Sequence, residues 1–130
     1  MKFFINLSDY SEEVRIGIIK ETANPDIIYY AKKSENPKER GAVALNSYAS
    51  AAELDELSRD PSDYVKKCVL MNKTTLGETI DGMLTDNKET PDENLILNHP
   101  NVWKETLERF LKYHTDKNLR IVAEQRLKHM

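Results

Sequence analysis

The chain has 130 residues, a mass of 15.0 kDa and a net charge of -3 at pH 7, enough for one domain with its own core. Nineteen Lys and Arg against 22 Asp and Glu leave no global basic footprint of the kind nucleic-acid binders carry. One cysteine excludes an internal disulfide framework and a four-cysteine metal site, and no run reaches the ~18 apolar residues of a membrane span.

In chain order, Lys2 to Leu7 (KFFINL) comes first and places Phe3, Phe4, Ile5 and Leu7 ahead of any helix signal. Residues 1–10 read as a hydrophobic lid on the N-terminal end of a helical array, with a dimer contact as the functional alternative. Charge returns at Asp9, too early for a secretory leader. A reducing, cytoplasmic setting is therefore expected, with Cys68 in the run CVLM as a buried small hydrophobe rather than a reactive thiol.

Helix starts follow at short intervals. Ser11 opens the first helix, and Asn24-Pro25 the second, with a polar cap before a proline at the first helical position. Asn36-Pro37, Pro61-Ser62, Thr90-Pro91 and Thr115-Asp116 mark further starts. SAAE (Ser50 to Glu53), TLGE (Thr75 to Glu78) and TPDE (Thr90 to Glu93) have the form of capping boxes, in which hydroxyl and glutamate satisfy two orphan amides. Asn101 is placed to cap the helix after it.

Between these starts an apolar pattern returns every 26 residues. Gly17-Ile18-Ile19, Val43-Ala44-Leu45, Val69-Leu70-Met71, Leu95-Ile96-Leu97 and Ile121-Val122-Ala123 are in step. Asn46, Asn72 and Asn98 close three of these triplets. A second column holds Ile28, Leu54 and Ile80, joined by Leu107 after a one-residue shift; Ala31, Leu57, Met83 and Phe110 follow three residues later as a helical stripe. Each unit thus reads as two short helices that cannot bury their apolar faces alone, and stacking gives each pair neighbours. The Asn is expected to end the first helix, tolerate left-handed geometry and bond freed backbone groups, as a hinge.

Segments such as DPSDYVKKCVLMNKTTLGETIDGML (Asp60 to Leu84) resemble the leucine-rich repeat variant family, within the wider HEAT and armadillo-like α-solenoids. The likeness covers about residues 11 to 127 and implies an all-α, right-handed superhelix of about four and a half two-helix repeats. The 26-residue unit is slightly longer than that family's, and TDNKETPDEN (Thr85 to Asn94) departs as a longer polar link. The resemblance implies a scaffold for binding. Some members carry a cysteine-rich iron–sulfur segment, which a chain with only Cys68 cannot supply, so no cofactor or metal is expected. Residues 116–130 read as a C-terminal capping helix, with Leu119, Val122 and Leu127 inward.

In related solenoids the second helices line the concave side. The candidate partner-binding residues there are Asp55, Glu56, Asp81 and Asp86 at the centre, Tyr29 and Tyr30 (with Lys33) at one end, and Glu108 (with Arg109 and Lys112) at the other. An acidic centre with a tyrosine edge suits a basic helix or tail of another protein. Glu53 and Glu78 are set aside as caps. His99, His114 and His129 lack metal-ligand spacing and read as loop or helix-surface residues, and Trp103 as a packing anchor beside Leu107. No GxSxG, HExxH or phosphate-cradling glycine loop is present, so a non-enzymatic protein-interaction module is expected. The alternatives are a nucleic-acid or repair-type solenoid using Lys32, Lys33, Lys38, Arg40, Lys66 and Lys67, and a small acidic inhibitor or immunity-type protein.

Overall fold

The computed structural model describes residues 6–84 and 92–130. Asp86, most of the Lys2–Leu7 lid and the Thr90-Pro91 helix start lie outside these. Among the described residues the chain is all-helical, with nine α-helices and no strand. They are α1 (Glu12–Glu21), α2 (Pro25–Ala31), α3 (Pro37–Leu45), α4 (Ala51–Leu57), α5 (Asp63–Met71), α6 (Gly77–Met83), α7 (Glu93–Asn98), α8 (Lys104–Tyr113) and α9 (Lys117–Lys128).

Most are under three turns long and would be marginal in isolation, so packing must hold them. The odd-numbered helices touch in series: α1 on α3, α3 on α5, α5 on α7, and α7 on α9. Gly41 on α3 lets α5 come close, because a Cβ there would meet the Tyr64 ring at 2.5 Å and the Cys68 sulfur at 3.2 Å. Cys68 is buried, and burial pushes its thiol up.

The core follows the sequence columns. Ile28, Leu54, Ile80 and Leu107 are buried, as are Ala31, Leu57, Met83 and Phe110 one turn on. In the odd helices Ile19, Val43, Val69, Ile96 and Ala123 are all fully buried. The strict triplet frame does not hold throughout. Met71 and Ile121 are exposed, while Ile96 and Leu97 are buried where Val69 and Leu70 are. The frame has slipped by one residue between α6 and α8, as Leu107 signals in the second column.

Seven helices carry a polar side-chain cap: Ser11, Asn24, Asn36, Ser50, Ser62, Asp92 and Asp116 each accept from a first-turn N–H. Ser50 and Glu53 form both halves of a capping box. Two expected caps are corrected. In TLGE the residue before α6 is Leu76, and the Thr75 hydroxyl instead donates to the Val69 carbonyl at 2.7 Å. Asn101 does not cap α8, whose first residue follows Trp103; its amide donates to the Lys73 and Thr75 carbonyls of the preceding turn at 2.8 and 2.9 Å.

The recurring Asn is a clamp rather than a hinge. Asn46 donates through Nδ2 to the Ile19 and Thr22 carbonyls at 2.7 and 2.8 Å, and its Oδ1 accepts from the Tyr48 N–H. Asn72 does the same one unit on, donating to Ala44 and Asn46 at 2.8 and 3.0 Å. A helix end leaves carbonyls without intrahelical partners, and the following unit supplies donors for them. Both residues are extended (φ -75°, ψ 127° and φ -88°, ψ 119°), so left-handed geometry plays no part.

Asn98 is not the third member. It is exposed and donates to Asn94 in its own helix. His99 takes the place: it is 3% exposed, its Nε2 donates to the Asn72 carbonyl at 2.9 Å, and its Nδ1 accepts from the Asn101 N–H at 3.0 Å. Arg126 on α9 completes the series, donating to the Leu97 and His99 carbonyls at 3.0 and 3.2 Å. His99 thus lies in the loop after α7, one of the two places expected for it, but buried rather than on the surface, because the slipped frame brings it into the core.

Candidate functional site

The buried clamps occupy the odd helices, so the even helices α4, α6 and α8 supply the face with open space. A cleft of about 490 Å³ lies between α4 and α6, lined by Ala51, Ala52, Asp55, Leu76, Glu78 and Gly82 among others. A second, of about 440 Å³, is lined by Asp81, Trp103, Glu105 and Arg109. Asp81 lines both.

Two of the expected acidic residues, Asp55 and Asp81, are brought together here, though their lone pairs are largely taken. Asp55 accepts from the Thr79 hydroxyl at 2.9 Å and from Arg59 at 2.7 Å. The Thr79 hydrogen bond, with Arg59 second, holds its carboxyl below the usual carboxylate range. Asp81 accepts from the Thr106 hydroxyl at 2.5 Å and from Arg109 at 3.2 Å, and Arg109 also reaches the Asp81 and Leu84 carbonyls. Both aspartates therefore tie α4 to α6 and α6 to α8, and they neutralise Arg59 and Arg109 in doing so.

The remaining candidates are elsewhere. Tyr29 and Tyr30 are exposed on α2, where they line a separate cleft of about 660 Å³ with Arg15 and Lys33. Lys33 donates to the Tyr29 hydroxyl at 2.5 Å and sits 4.1 Å over its ring, which lowers the phenol below its ordinary value. Glu56, itself exposed, pairs with the largely covered Lys32 at 3.2 Å, and Glu108 pairs with Lys104 at 3.8 Å on exposed surface. Of the cations weighed for nucleic acid, Lys32, Lys38, Arg40 and Lys66 each pair with a carboxylate, from Glu56, Glu12, Asp60 and Asp63. No group of three or more His, Cys, Asp or Glu among the described residues could hold a metal ion.

Sequence reasoning missed Leu76 and read Trp103 only as a packing anchor. They stand at the N-cap positions of α6 and α8, where no side chain bonds the first-turn amides. A Ser or Asn there is worth about 1 kcal/mol over an apolar residue. Both are large and half in water, at 50% and 44% exposure. Trp103 lies against Gly77, next to Leu76, where a Cβ would meet its Nε1 at 2.4 Å and the Asn101 carbonyl at 2.5 Å. The signal in the sequence was Leu76-Gly77: an apolar residue and a glycine where the other helices start with a polar cap.

Comparison with protein-family models, with curated proteins and with solved structures returned no match.

Proposed function

We propose that the chain is a helical-repeat module, a right-handed α-solenoid of about four and a half units near 26 residues each, whose face of even helices recognises another protein. The observation that carries this is the pair of clefts meeting at Asp81, open across α4, α6 and α8. The serial contacts of the odd helices and the clamps between them support the solenoid reading. No catalytic step is assigned: Asp55 and Asp81 are held as acceptors by threonine and arginine, which suits fixing a surface rather than moving a proton.

Filling the cleft tests the role. Ala52 is exposed and a Cβ at Gly82 meets nothing within 4 Å, so the double variant Ala52→Arg, Gly82→Arg blocks the space without strain. Proteins captured from native lysate by the parent chain should be lost by the variant, with the circular dichroism spectrum unchanged. An identical captured set would overturn the recognition role.

A further inference from the structure

Resting on the recognition role above, we propose that Leu76, Trp103, Glu78 and Glu105 form an anchor seat for a basic amphipathic helix of a partner protein. Leu76 and Trp103 are exposed at the two helix starts where every other helix has a polar cap, and each lines one of the two clefts. The indole is seated on bare backbone at Gly77, which fixes its position and leaves nearly half of it for a partner. A positioned aromatic with an exposed face is the usual form of an interface hot spot.

Charge selects the occupant. Glu78 and Glu105 hold the second helical position of α6 and α8, both are exposed, and neither has an ion pair among the described residues. The two arginines nearby, Arg59 and Arg109, are already tied to Asp55 and Asp81. The seat therefore offers apolar surface flanked by two uncompensated carboxylates, one per unit. Helices packed side by side are about 10 Å apart, close to the rise of seven helical residues. The fitting ligand is a helix with Lys or Arg at positions i and i+7 and an apolar residue between them at i+3 or i+4, all on one face.

Trp103 is the chain's single tryptophan, so its emission reports on this site in the intact protein. Three synthetic 14-residue peptides serve as probes: a Lys/Leu amphipathic helix with that spacing, the same peptide with Glu for Lys, and one of equal composition with scrambled register. The first should shift Trp103 emission to shorter wavelength and bind at least about tenfold more tightly than either other peptide. Glu78→Lys with Glu105→Lys should weaken it about tenfold or more. Leu76→Ser should weaken it too, while raising Tm by roughly 4 °C through the restored cap. An unmoved emission, equal affinity for the Glu peptide, or unchanged binding by the charge-reversed protein would overturn the seat. If the peptides fail while the Ala52→Arg, Gly82→Arg variant still loses its natural partners, this inference falls alone; if that variant loses nothing, both fall.

Discussion

The junction between α3 and α5 and the junction between α5 and α7 answer the same need with different chemistry. At the first, Asn72 supplies a neutral amide with two donors for two upstream carbonyls and an acceptor for its own turn. At the second, the His99 ring has one donor and one acceptor, so it reaches a single upstream carbonyl, and Asn101 covers two more. Arg126, between α7 and α9, donates twice and accepts nothing. The backbone asks for a donor at each helix end, and several side chains can provide it. They differ in what happens when the proton count changes.

The largest expected effect is at the amide clamps. Asn72→Ala leaves the buried Ala44 carbonyl and the Thr74 N–H without a partner and the Asn46 carbonyl with only the Ala49 N–H, and should cost about 3 kcal/mol in urea unfolding. A loss below about 1 kcal/mol would mean water or a neighbour replaces the amide, and the contrast between junctions would disappear. His99→Ala removes fewer bonds and should cost about 2 kcal/mol.

His99 adds a dependence that Asn72 cannot have. Burial, reinforced by Arg126 and opposed by the Asn72 carbonyl, holds its imidazole below the ordinary 6.5. The unfolded chain therefore takes up the proton first on acidification. Stability from this site is complete above about pH 6.5 and declines as the pH falls from there through the lowered folded-state value. Urea midpoints measured from pH 7.5 to 5 should fall less steeply for His99→Gln than for the parent chain. Parallel slopes would place the acid sensitivity elsewhere.

Arg126→Met should cost about 1 kcal/mol, because the arginine is itself only partly buried and water can follow into its place. The smallest effect is expected from Glu56→Gln. The carboxylate is open to water where it meets Lys32, and unfolding should change by less than about 0.5 kcal/mol.

The apolar columns and most caps were legible in the sequence because each follows from local periodicity or local hydrogen bonding. Ile28, Leu54, Ile80 and Leu107 needed only helix spacing to be placed inward, and Ser50 with Glu53 needed only the four residues they span. The clamp was half legible. Asn46 and Asn72 stood out, but their acceptors lie 24 to 28 residues upstream, and no local pattern names them. Asn98 kept the 26-residue step and was chosen over His99, although the shift at Leu107 already showed that an extra residue had entered. Thr75 and Asn101 were read as caps because both types suit that role. Thr75 instead bonds the Val69 carbonyl inside α5, and Asn101 bonds two carbonyls of the loop between α5 and α6, so each holds its loop one or two residues ahead of the true helix start. Asp55 and Asp81 were found by face, but their threonine partners on the next helix were invisible without coordinates.

Among the described residues, the clamps of Asn46, Asn72, His99 and Arg126 run one way: the donor is later in the chain than its acceptors. A ribosome releases the chain in that same order. The clamp donors of each later helix can therefore find their acceptors already made as they emerge. Removing material from the tail would merely wet some oxygens, whereas removing it from the head would strand interior amides with no one to bond.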